Sequence, residues 1–159
     1  MLNPTSLLAD ALGRNLAETY RRIYGDQEPQ IAAGLDEAAR LVIERIANSD
    51  ALYHDCEHTA LVTLCVQDIL RGRRLERTVT PIDWGHTIFA ALNHDIGYVR
   101  GICAGDTAEQ FVTPLDIPID GRGVHVRRIA ECVCRRVRIE IGIRELAPRH
   151  VPGECFYRV

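Results

Sequence analysis

The chain contains no lysine: all 19 basic residues are arginine. A skewed genome composition accounts for this most simply. It also means that any bound anion must be met by arginine, histidine or backbone N–H groups. Long apolar runs are missing as well. The opening residues, MLNPTSLLADALGRN, carry no basic leader and are interrupted by Asp10, Gly13 and Arg14. Neither a secretory signal peptide nor a membrane span is expected from them. No repeat and no low-complexity tract occurs. Net charge is only −3, so electrostatics give no reason to expect nucleic acid or an anionic membrane as partner. The six cysteines are Cys56, Cys65, Cys103, Cys132, Cys134 and Cys155. Without a signal peptide they read as free thiols of a reducing cytoplasm rather than a disulfide framework.

What is present is the composition of an ordinary globular domain, 47% apolar and 26% charged over 159 residues. That length reads as a single domain, 1–159, able to bury roughly two thirds of its unfolded surface. Apolar residues recur at helical spacing over 5–24, where Thr5 or Ser6 can cap the start and Gly25 the end. They recur again over 34–48. Residues 51–70 read as a third helix or helix pair, with Leu61, Val62, Leu64, Cys65, Ile69 and Leu70 facing inward. Arg71-Gly72-Arg73-Arg74 then reads as a polar exit. Thr80-Pro81 opens a fourth helix, running to about Asp95 and stopped by Gly97. The expected fold is an all-α bundle.

Residues 98–121 hold no sustained period and are expected to form a long irregular loop. Over 122–159 a helical reading competes with strand-like alternation at Val137, Ile139, Ile141 and Ile143. Nine arginines and three cysteines crowd into the last 39 residues, an atypical tail.

Two stretches carry chemistry. LYHDCEHTALVTL, 52–64, places His54 and His58 four apart, on one face if both are helical. FAALNHDIGYVRG, 89–101, sets His94 beside Asp95 at the end of an apolar run. A buried carboxylate must be paired, hydrogen-bonded or metal-bound, because bare desolvation costs several kcal/mol. Imidazole and carboxylate together suit divalent cations. The competing reading is capping or core histidines bonded to backbone.

His58 followed by His94-Asp95, with the flanking text YHDCEHT and LNHDIGY, resembles the HD-domain metal-dependent phosphohydrolases. It is most similar to the branch with cyclic-nucleotide-phosphodiesterase-like motifs. The resemblance covers about residues 51–101. It implies an HD-type helical bundle that hydrolyses a small phosphoester of the nucleotide or cyclic-nucleotide class. It implies metal ligation by His58, His94 and Asp95, one or two divalent ions per chain (Mn, Fe, Zn, Ni or Mg), and His54 as the proton donor to the leaving oxygen. Asp95 is the expected bridge if two ions bind. The alternative is a non-catalytic binding or interaction module on the same fold. A homodimer is compatible with exposed apolar helix faces.

The pattern departs from the family in two ways. Asp55 stands where the resemblance expects asparagine, and no aspartate follows Asp120 to act as the distal ligand. Asp106, Asp116 and Asp120 are the aspartates that remain, all in the loop, and Glu131 or Glu140 could substitute. Either the chain is a shortened or altered enzyme, or its loop delivers an unusual ligand. Arg100 reads as a phosphate contact or as a solvated loop arginine. His86 lines the pocket, stands behind it, or packs in the core. Cys132, Cys134, His150 and Cys155 have the atoms of a structural zinc site, or are incidental thiols.

Overall fold

The computed structural model describes residues 3–49 and 51–99, together with the backbone pairing of 111–112 with 118–119. Helix α1 spans Pro4–Tyr24, α2 Pro29–Ile46, α3 Cys56–Glu76 and α4 Pro81–Asn93; a single 3-10 turn, Ile96–Tyr98, follows. The described residues thus form an all-α bundle. A two-residue antiparallel ladder, β1 (Phe111–Val112) with β2 (Pro118–Ile119), lies inside the stretch expected to be irregular. Arg100, expected as a phosphate contact or loop residue, and the tail 122–159 lie outside the described residues.

Local chemistry explains the helix ends. Asn3 caps α1 through its side chain, ahead of Pro4. Gly25, with φ +62°, closes it by donating its N–H to the Arg21 carbonyl. The positive φ suits glycine, which has no Cβ to clash. Helix α2 begins at Pro29 rather than residue 34, because the fixed φ of proline suits the first turn. Thr80 and Asp83 form a reciprocal capping box at the start of α4. Helix α3 starts later than the apolar spacing indicates and runs through the arginine cluster to Glu76; arginine is a good helix former.

The main core joins all four helices. Trp84 is fully buried, and Tyr24 meets it edge-on at 5.9 Å between ring centroids. The Tyr24 hydroxyl donates to the Val79 carbonyl at 2.8 Å, tying the end of α1 to the α3–α4 link. At Gly13 a Cβ would fall 2.8 Å from the Asp36 carbonyl oxygen, so glycine lets α1 and α2 approach backbone to backbone. A second small cluster of Val42, Ile46, Ile96 and Val99 binds the end of α2 to the 3-10 turn, with Cys56 and Phe89 packed against it.

Helix α3 turns a partly unexpected side inward: Leu70 is buried and Leu64 packs against the core as expected, but the rest of the face differs. Its buried residues are Thr59, Ala60, Thr63, Gln67 and Leu70, while Leu61, Cys65 and Ile69 are exposed. Thr59 and Thr63 donate their hydroxyls to the carbonyls of Asp55 and Thr59 one turn back. Satisfied in this way, they present methyl groups to the core. Cys65 is therefore not a core residue, and an apolar count alone misplaces this face. Substitution checks the orientation. Ile69→Gln is expected to change stability by less than about 0.5 kcal/mol, as for an exposed site. Thr63→Leu is expected to overpack and cost about 1–3 kcal/mol. Urea unfolding of the two variants distinguishes the faces, and the reverse order of costs would refute the arrangement.

Candidate metal centre

The site forms where the start of α3 meets the end of α4. Asp55 is the N-cap of α3, and its carboxylate accepts the backbone N–H of His58 at 2.8 Å. His58 therefore sits in the first helical turn with a fixed backbone. His54 precedes the helix, so the two histidines do not share a helical face as their spacing indicates. They nevertheless converge, because the bend before Asp55 folds His54 back over the helix end. Their rings stand edge to face at 5.4 Å.

On the other side, His94 caps the C-terminus of α4, and Asp95 leaves helical geometry at φ −107°, ψ 1°. The Asp95 carbonyl accepts the N–H of Tyr98, closing the 3-10 turn. Ile96, buried against Val42 and Ile46, pins that turn to α2. Asp95 is thereby held buried, its side chain 6% exposed.

Three imidazoles meet this carboxylate at one oxygen. Asp95 Oδ2 lies 2.8 Å from His54 Nδ1, 2.9 Å from His94 Nε2 and 3.2 Å from His58 Nε2. His94 Nε2 is also 3.3 Å from His58 Nε2. His94 Nδ1 is 2.7 Å from the Ala91 carbonyl oxygen, which can only accept, so Nδ1 carries the proton. In the neutral ring this aims the Nε2 lone pair into the cluster. A backbone carbonyl that fixes the tautomer of a histidine is a common support for metal ligation. Donors about 2.05 Å from a metal and 90–110° apart lie about 2.9–3.4 Å from one another. The separations among His58, His94 and Asp95, 2.9–3.3 Å, are of that size. His54, His58 and Asp95 can hold a metal ion, and the Nε2 of His94 lies beside Asp95 Oδ2 and His58 Nε2.

Two tyrosines wall the cluster. The Tyr98 ring stacks on His54 at 4.1 Å and 10°, and the Tyr53 ring tilts over His58 at 4.5 Å. The motif spacing singles out neither, although both lie inside the quoted stretches; a tyrosine near a histidine carries no signal of its own. Asp55 is a cap rather than a member of the cluster. His86 is exposed on α4, so it is not a packed core histidine, and it is not among the residues that converge. Cys56 is half-buried with its thiol toward the Ile43 carbonyl; burial raises its pKa, which disfavours a reactive thiolate.

A family model, Npun_R2479-like, matches residues 2–128. The chain belongs to the Npun_R2479-like family. That span includes all four helices and the His–Asp cluster, and the family is one of unknown function. No curated protein and no solved structure matches the chain. Among the described residues no helix is long and apolar enough to cross a membrane.

Removing the cap isolates its role. Asp55→Ala is expected to cost about 1 kcal/mol and to weaken metal uptake, since His58 loses its fixed backbone. Isothermal titration with zinc beside a denaturation curve measures both; unchanged uptake would show that the cap does not position His58.

Electrostatics set a second expectation. Burial opposes the charge on His94, but hydrogen bonds to Asp95 and Ala91 and the Asp95 charge outweigh it and raise the pKa above the ordinary 6.5. Burial likewise opposes the Asp95 carboxylate, but His94 and His54 hold its pKa below the ordinary 3.8. In metal-free protein the His94 contribution is full below its unfolded pKa and is lost as pH rises through the raised folded value. The Asp95 contribution is full above its unfolded pKa and is lost as pH falls through the lowered folded value. The pair therefore stabilises the metal-free fold most between about pH 4 and 6.5. Metal uptake should strengthen as pH rises through the His94 pKa, because the proton competes for Nε2. Urea midpoints at pH 5.5 and 8.5 check the first point: the drop should shrink in Asp95→Asn, and an equal drop in both proteins would contradict the assignment.

Proposed function

We propose that this protein is a metal-dependent phosphohydrolase acting on a small phosphoester of the nucleotide or cyclic-nucleotide class. The observation that carries the reading is the convergence of His54, His58 and His94 on one buried oxygen of Asp95, at 2.8–3.2 Å. The sequence resemblance of 51–101 to the HD-domain enzymes supplies the reaction class. His58, His94 and Asp95 hold the divalent ion, which when bound supplies Lewis acidity to a phosphoryl oxygen and a nucleophile at neutral pH.

The protein's own residues do the rest. Asp95 brings the anionic charge that draws the cation in, and its burial keeps that charge poorly screened. The Ala91 carbonyl keeps the His94 proton on Nδ1, so Nε2 stays a donor to the ion. Tyr53, 67% exposed beside His58, offers a substrate a ring edge to rest on. The reading does not require His54 to be the proton donor.

Full-length protein, loaded in turn with Mn²⁺, Fe²⁺, Zn²⁺, Ni²⁺ and Mg²⁺, is to be assayed against bis(p-nitrophenyl) phosphate, p-nitrophenyl phosphate and cyclic nucleotides. Metal-stimulated hydrolysis that falls by about 100-fold or more in Asp95→Ala is expected, since losing the metal forfeits several kcal/mol of transition-state stabilisation. Metal bound at full occupancy with no turnover on any of these would instead make the protein a binding module.

A further inference from the structure

We propose that the outer face of α3 is a docking surface for a second copy of this chain, packed antiparallel across a twofold axis at Cys65. The inference rests neither on the metal centre nor on the proposed reaction.

Five residues of α3 recur at every fourth position on the side turned away from the core: Glu57, Leu61, Cys65, Ile69 and Arg73. All five are exposed, Leu61 and Ile69 by 60% and 54%. A single exposed apolar residue is ordinary on a protein surface. These form a series, because positions four apart make one ridge of a helix.

The ends of the ridge decide what covers it. In chain order it reads acid, apolar, thiol, apolar, base, which is complementary to its own reverse. Half a turn about Cys65 sets Leu61 against Ile69 of the second copy, and Cys65 against Cys65 of the second copy. It also sets Glu57 against Arg73 of the second copy. Among the described residues neither Glu57 nor Arg73 has an ion-pair partner in its own chain. Pairing of one position with another, and of that other with the first, is what a twofold contact between identical surfaces demands. A parallel arrangement would set like charges together at both ends. The helix dipole accounts for an acid in the first turn of α3 and a base in its last. It does not account for the apolar residues between them on the same ridge.

The ridge also fixes the geometry. Ridges of this spacing pack along one another with the helix axes crossing at about −50°. The central residues then touch, and the long side chains of Glu57 and Arg73 span the gap where the helices splay. From Glu57 to Arg73 the ridge is about 24 Å long. A contact of one ridge lies at the small end of specific interfaces, so the dimer dissociates with a Kd of about 1–100 μM.

Sedimentation equilibrium on full-length protein tests this. A monomer–dimer equilibrium is expected in that range. Glu57→Arg and Arg73→Glu should each weaken it by about tenfold, because each reversal acts twice across the axis. The double variant should regain most of the wild-type affinity. Both reversals oppose the dipole of α3, so the recovery cannot come from a more stable monomer. Ile69→Gln, which leaves the stability of the dilute monomer almost unchanged, should weaken the dimer as well. A short bis-maleimide should link two copies, and the link should vanish in Cys65→Ser while the dimer persists. Monomer throughout that range and tenfold beyond it would overturn the inference without recourse to any variant. If Cys65 of such a monomer also resisted maleimide, the ridge would be covered by another part of its own chain. A dimer that the charge reversals and Ile69→Gln leave unmoved would overturn the inference too, by placing the contact on another face.

Discussion

Burial of the Asp95 carboxylate is the constraint around which this end of the molecule is built. An unpaired charge in that position would cost several kcal/mol, and single domains have only about 5–15 kcal/mol of net stability. The imidazoles are therefore structural in one sense whatever the chemistry: without them, or a cation in their midst, the turn after α4 could not stay folded inward. The apolar cluster of Val42, Ile46, Ile96 and Val99 supplies the opposing force. It draws the 3-10 turn onto α2 and leaves Asp95 no outward path. Polar and apolar contacts on either side of one residue thus hold each other in place.

The helix ends decide how the charges are met. His94 lies at the C-terminus of α4, where the aligned peptide dipoles favour positive charge by about 0.3–1 kcal/mol. His58 lies in the first turn of α3, where the dipole has the opposite sign and opposes a cation. Asp55 answers that opposition, since its carboxylate caps the same turn through the His58 N–H. An asparagine would make the hydrogen bond but bring no charge. The aspartate found where the resemblance expects asparagine has a physical use in a site that gathers positive charge at a helix N-terminus.

Much of the bundle is legible in the sequence. The 3.6-residue spacing of Leu12, Leu16 and Tyr20 or of Ala38, Val42 and Ile46 marks helices whose buried faces match. Gly25 and Thr80-Pro81 mark ends correctly. The failures have specific causes. Apolar spacing marks the second helix only from residue 34, whereas Pro29 opens it. Arg71 to Arg74 look like an exit but are good helix formers on an exposed face. The inward face of α3 misleads because hydropathy takes no account of the hydrogen bonds that threonine and glutamine find. Thr59 and Thr63 bond to their own helix, and Gln67 reaches Asn15 at 2.9 Å.

The site is legible in its members and not in its geometry. Motif spacing names His54, His58, His94 and Asp95, but the two pairs are brought together by different means. His58 and His94, 36 residues apart, need only two helices to meet end to end. His54 arrives by a bend ahead of the cap at Asp55, and no periodicity encodes such a bend. The i, i+4 spacing is right in outcome and wrong in mechanism, so the role of His54 has to be argued from its position rather than from its motif. A histidine on the helix would stand one turn below His58 and share its direction. One on the bend is free to reach Asp95 from outside the helix, 2.8 Å from its Oδ2, with Tyr98 against its ring.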